Sequence, residues 1–204
     1  MDSIFRLRRF LDTPALAQRK APCELCGAPL DMDHAHVVDT DRRRLMCACR
    51  ACYLLFTHSG AADGKFQSAS ERVLKLPDAG LYSGGWDALE VPVGVAFFVR
   101  NSRDNRVTAF YPSPAGVTEA GLPFEIWDEV AAANPPLPTL SPDTEALLIC
   151  RRRSGDEAWI VPVDACYELA GRVRRHWRGF DGGEAWQEID AFLAELQARE
   201  EAFA

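Results

Sequence analysis

Five of the seven cysteines of this 204-residue chain fall between positions 23 and 52. Cys23-Glu-Leu-Cys26-Gly27 has the form of a zinc knuckle. In such a turn two thiolates separated by two residues face one ion, and the glycine permits the tight backbone path between them. Cys49-Arg-Ala-Cys52 supplies a second pair after a 22-residue spacer, slightly longer than the usual zinc pattern. Cys23, Cys26, Cys49 and Cys52 are therefore the expected metal ligands. Four thiolates suit tetrahedral zinc, and a closed set of four leaves no position for water or substrate, so such a site folds a module. The same soft ligands also suit iron, as a rubredoxin-like ion or an iron–sulfur cluster in a redox carrier.

Cys47, His34 and His36 remain once that site is closed. On an extended segment His34 and His36 project to one side, as do Leu45, Cys47 and Cys49 on the returning strand. If the two strands pair as a hairpin, the imidazoles can face Cys47. Two arrangements are open at this point. Cys47 packs as a small apolar residue while the histidines hydrogen-bond within the module, or the three form a second, incomplete metal site completed by Asp31, Asp33 or water. The Asp33-His34 pair between two cysteine pairs is also similar to His-Asn-His nucleases, in which a histidine activates water against a metal-bound phosphate. Its distance to the second pair is short for that motif, and neither the usual Asn nor a closing His stands at a matching position.

The rest of the chain bounds what this cluster can serve. A net charge of −7 opposes a general nucleic-acid footprint, which needs an excess of Lys and Arg over some face. With 48% apolar and 26% charged residues the composition is that of an ordinary folded protein. The first residues, Met1-Asp-Ser-Ile-Phe-Arg-Leu-Arg-Arg-Phe10, never reach the apolar run of a secretory signal, and no window approaches a membrane span. The expectation is a cytoplasmic protein with no membrane partner. Thiols stay reduced there, so clustered cysteines point to metal chemistry before disulfides.

The elements that must position the cluster follow from periodicity. Ile4, Leu7, Phe10 and Leu11 predict a short amphipathic helix within an N-terminal segment 1–20, before the metal module at 20–58. Residues 59–85, rich in Gly, Ala, Ser and Asp, are expected to link two unlike halves, with a boundary near residue 70 and a brief strand at Val73, Leu74 and Leu76. The domain at 86–204 is predicted to be α+β. Strands at 91–99 and 107–111 flank the turn at Ser102–Asn105, and a helix covers 123–133. A second pair, 146–150 and 158–163, flanks Ser154-Gly155-Asp156. A helix then begins after Asp164 as N-cap, carrying Cys166, Leu169, Val173 and Trp177 on one stripe, and a last helix at 184–200 buries Trp186, Ile189, Phe192 and Leu196.

Cys23-Glu-Leu-Cys-Gly-Ala-Pro-Leu30, His34-Ala-His36, Cys47-Ala-Cys-Arg-Ala-Cys52, Ala109-Phe-Tyr-Pro-Ser-Pro-Ala-Gly116, Pro162-Val-Asp-Ala-Cys-Tyr-Glu-Leu169 and His176-Trp-Arg-Gly179 together resemble a bacterial family of unknown function. The resemblance runs over nearly the whole chain. Genes of that family tend to lie near those of [NiFe] hydrogenases, which implies an accessory or assembly role and a protein partner such as a hydrogenase subunit or maturation factor. It implies no catalytic residue.

Other candidates are thinner. Ser113, in Tyr111-Pro-Ser-Pro-Ala-Gly116, lacks a nucleophile-elbow sequence and stands in turn chemistry. Arg42–Arg44 and Arg151–Arg153 are expected at solvated hairpin tips. The expected protein is thus α+β: a small zinc-ribbon-like or treble-clef-like module, then a domain of antiparallel hairpins and C-terminal helices. Its expected function is that of a non-enzymatic zinc-binding accessory protein.

Overall fold

The computed structural model describes residues 21–58, 60–77, 94–120, 136–152, 155–177 and 183–203, together with 127 and 131. The helix expected at 3–11 lies outside these residues, as does most of that expected at 123–133, of which Trp127 and Ala131 are helical.

The chain is an α+β protein with two antiparallel sheets. In the smaller, β1 (Ala35–Asp39) pairs with β2 (Arg44–Ala48) on one edge and with β3 (Phe66–Ser68) on the other. The hairpin turn is fixed by its own residues. The Asp39 carboxylate accepts the Arg42 amide at 3.1 Å, and Arg43 takes a φ of 52° to reverse the chain. Val37 and Ala48 turn inward with Cys23, Leu30 and Cys52 to make a small core. The helix α1 (Arg50–Leu55) follows β2 after a single residue.

The larger sheet has the order β4-β9-β8-β5-β6-β7, built from β4 (Leu74–Lys75), β5 (Val95–Arg100), β6 (Val107–Ser113), β7 (Gly116–Ala120), β8 (Glu145–Cys150) and β9 (Glu157–Pro162). The two expected hairpins meet along β5 and β8, where Val95 faces Cys150 and Val99 faces Ala146. Alternation at period two sorts their side chains into two cores. Phe97, Leu148, Trp159 and Val161 pack under the helices α2 (Val163–His176) and α3 (Gly183–Phe203), whereas Phe98, Leu147, Ile149 and Ile160 pack on the other face with Leu137 and Leu140. With both faces covered, every residue of β8 is buried.

Three local expectations change. The turn expected within Tyr111–Gly116 forms over Pro114-Ala115, but β6 first runs through Pro112 to Ser113 and the chain returns as a further strand, β7, with Gly116 at a φ of 119°. Within the segment expected to link the halves, the brief strand expected around Leu74 forms as Leu74–Lys75 on the edge of the large sheet, but Phe66–Ser68 adds an unexpected strand to the small one. Finally, α2 starts at Val163, so Asp164 lies in its first turn and does not cap it. There the carboxylate still sits favourably at the positive end of the helix, and one of its oxygens is free to bond elsewhere. No helix among the described residues is long and apolar enough to cross a membrane.

Candidate metal centre

The knuckle forms because Gly27 adopts a φ of 77°, which brings its amide onto the Cys23 carbonyl at 2.8 Å while the Cys23 amide donates to the Ala28 carbonyl at 2.7 Å. The Glu24 amide then donates to the Cys47 carbonyl at 2.9 Å, and the Glu24 carboxylate accepts the Cys47 amide at 2.7 Å. These two bonds clamp the knuckle to β2. The second cysteine pair stands on a helix: Cys49 is the N-cap of α1, and Cys52 lies in its first turn. Knuckle, hairpin and helix in that order match the treble-clef-like alternative, since a zinc ribbon would put the second pair on another knuckle.

The sulfurs of Cys23, Cys26, Cys49 and Cys52 all lie within 4.8 Å of one another, an arrangement that could hold a metal ion. Cys26 Sγ and Cys49 Sγ are 3.7 Å apart. A tetrahedron with metal–sulfur bonds of about 2.3 Å has edges of about 3.8 Å, so this pair is at coordination distance for a single ion. Electrostatics point the same way. Burial pushes the Cys23 thiol up, but the amides of Cys49, Cys26 and Leu25 and the Cys26 thiol outweigh it and bring it down to about 6. Burial, with the thiols of Cys26, Cys49 and Cys23, pushes Cys52 up to about 12. One thiolate is thus favoured, while its neighbours resist adding more negative charge. A divalent cation is the partner that lets all four ionise.

Beside this set, one donor atom each from His34, His36 and Cys47 also lie within 4.8 Å of one another. His36 is directly opposite Cys47 in the β1–β2 register, and the two imidazole centroids are 4.9 Å apart. Of the two histidines, one is bonded within the module as the first expectation had it, and the other reaches outside it. His34 Nδ1 lies 3.0 Å from the Asp31 carbonyl, but His36 Nδ1 lies 2.9 Å from the carboxylate of Asp164, at the start of α2. Burial pushes the Cys47 thiol up, helped by the nearby Glu24 and Cys23. Cys150 and Cys166 are fully buried in the large domain with thiols pushed up by burial, and all seven cysteines are free.

The remaining candidates take structural places. Ser113 Oγ accepts the Ala115 amide at 3.2 Å and the Thr118 hydroxyl at 2.9 Å, as a turn residue does. At the hairpin tip Arg42 lies 3.8 Å from Asp39, Arg43 pairs with Asp104 and Arg44 with Glu24. With Arg103 on Asp41, the Arg43 pair ties the β1–β2 turn to the β5–β6 turn. Asp164 is the residue near the cluster that sequence reasoning missed. The signal available was a carboxylate at a helix start, which looked like a cap.

Residues 22–200 match the family of unknown function DUF5947, and the chain belongs to that family. No curated protein and no solved structure matches it.

Proposed function

For this DUF5947 member we propose a non-enzymatic, zinc-binding accessory or assembly protein of the cytoplasm, in which the four-cysteine module shapes a surface for a protein partner. The observation that carries the proposal is the closed set of four sulfurs within 4.8 Å, on a knuckle and a helix start that local hydrogen bonds already hold in place. A closed tetrathiolate site contributes folding energy and leaves no position for substrate. Zinc is preferred over an iron–sulfur cluster because the sulfurs are spaced around one ion, whereas several irons would spread them. The specific assignment, maturation of [NiFe] hydrogenase, is supported by the family resemblance and its gene neighbourhood alone.

The test begins with elemental analysis and an optical spectrum of the reduced, purified protein. Colourless protein containing zinc is expected, and thiolate-to-iron charge transfer would turn the assignment to a redox carrier. In a host carrying both genes, deletion should lower hydrogenase activity. Unchanged activity would remove that assignment, and metal-dependent cleavage of plasmid DNA would replace it with a nuclease.

A further inference from the structure

We infer that His34, His36 and Cys47 bind a second zinc-class divalent ion, held by three protein ligands with one coordination position left open. The inference stands apart from the four-cysteine site, which uses none of these residues.

Hydrogen bonding assigns the tautomers. A backbone carbonyl only accepts, so the 3.0 Å contact with Asp31 places the hydrogen of His34 on Nδ1. Nε2 of the neutral ring then carries a lone pair, and it is buried without a hydrogen-bond partner. An ionised carboxylate also only accepts, so Asp164 fixes the hydrogen of His36 on Nδ1 in the same way. Both imidazoles thus present Nε2 lone pairs with the opposite nitrogen anchored to oxygen. That is the pattern of metal-binding histidines, whose second nitrogen is held by a carboxylate or a carbonyl. The strand register brings the third donor, because His36 and Cys47 are direct cross-strand partners.

Three donors within 4.8 Å fit one side of a tetrahedron. Cys47 would release its proton to solvent on binding, as thiol ligands do. A polar groove of about 480 Å³ runs along His34, lined also by Asp31, Asp33, Arg50 and Glu71. Three-ligand zinc with an exchangeable water is the arrangement of reactive rather than structural sites.

The test titrates the full-length apoprotein, kept reduced, with Co²⁺ as a spectroscopic stand-in for zinc. Wild type should bind two equivalents, and Cys47→Ala, His34→Ala and His36→Ala should each bind one. Unchanged tetrathiolate bands in those variants show that the module is folded and the first site intact. Asp164→Asn keeps all three ligands and should weaken only the second equivalent, by about 10–100-fold. Added azide should shift the bands of the second ion and not of the first. A single equivalent in wild type would overturn the inference, as would loss of tetrathiolate bands on changing Cys47. Equally fatal would be rapid alkylation of Cys47 by iodoacetamide under saturating zinc, which would make it a free thiol beside a base.

Discussion

Replacing Cys52 by serine should melt the small module while leaving the large sheet standing, and the size of the effect follows from how little else holds the module together. Its fully buried core contains Leu30, Val37 and Ala48 apart from the two buried cysteines, with Leu25, Phe56 and Phe66 partly buried against it. Burying Leu30 and Val37 contributes about 3–6 kcal/mol together. A structural zinc contributes about 10–16 kcal/mol in small zinc-finger peptides, so the ion exceeds the burial of these two side chains by about 4 kcal/mol or more. A serine hydroxyl is no substitute for a soft thiolate, and Cys52 is one of the two ligands buried in that core. The variant should therefore lose at least one equivalent of zinc by elemental analysis. Amide exchange followed by mass spectrometry should show protection lost across β1 and β2 and retained in β5, β8 and β9. If zinc is lost but β1 and β2 stay protected, the bonds to β3 and α2 hold the hairpin, and the assignment of the metal as its main support is wrong.

Two further outcomes test the large domain. Glu145, 2% exposed, accepts the Ser70 hydroxyl at 2.8 Å, the Arg72 guanidinium at 2.9 Å and the Ser141 amide at 2.7 Å, so Glu145→Ala strands three donors. It should cost about 3–5 kcal/mol in urea denaturation, and a loss under about 1 kcal/mol would show that water replaces the carboxylate. On the surface between α2 and α3, hydrogen bonds from Arg172 hold the Glu195 carboxyl below its usual range. A depressed carboxyl stabilises the fold above its unfolded value, and the contribution is lost as pH falls through the folded one. Glu195→Gln should thus lower stability by at most about 1 kcal/mol at pH 7. The gap from wild type should close in thermal melts as pH falls through that folded value, and a gap that persists below it would locate the effect in packing.

The metal module was legible because its chemistry is local. Cysteine spacing, Gly27 after the first pair and the run from His34 to Cys49 carry ligand set, turn and hairpin in one stretch of sequence. The buried strands β5, β8 and β9 were legible for the same reason, since short continuous runs of Val, Phe, Leu and Ile bounded by turns declare a buried strand. Strand β7 was hidden by Pro112 and Pro114, whose usual message is an end to pairing; the hairpin simply turns over Pro114-Ala115. Phe66–Ser68 gave one apolar residue, too little to mark a strand whose partner is β1. The role of Asp164 was out of reach, because its partner His36 lies 128 positions away and a carboxylate at a helix start already has a sufficient local explanation.

That separation orders events during synthesis. All four cysteines have left the ribosome soon after Cys52 is added, so the first ion can be captured while the large sheet does not yet exist. The orienting carboxylate of His36 arrives 128 residues after the histidine itself, a delay of about 6–26 s at translation rates of about 5–20 residues per second. β4 waits through a shorter stretch for its partner β9, Leu74 pairing with Ile160. The nascent chain thus passes through a stage with its tetrathiolate complete and His36 free to turn, and the docking of α2 is the late step that locks its orientation.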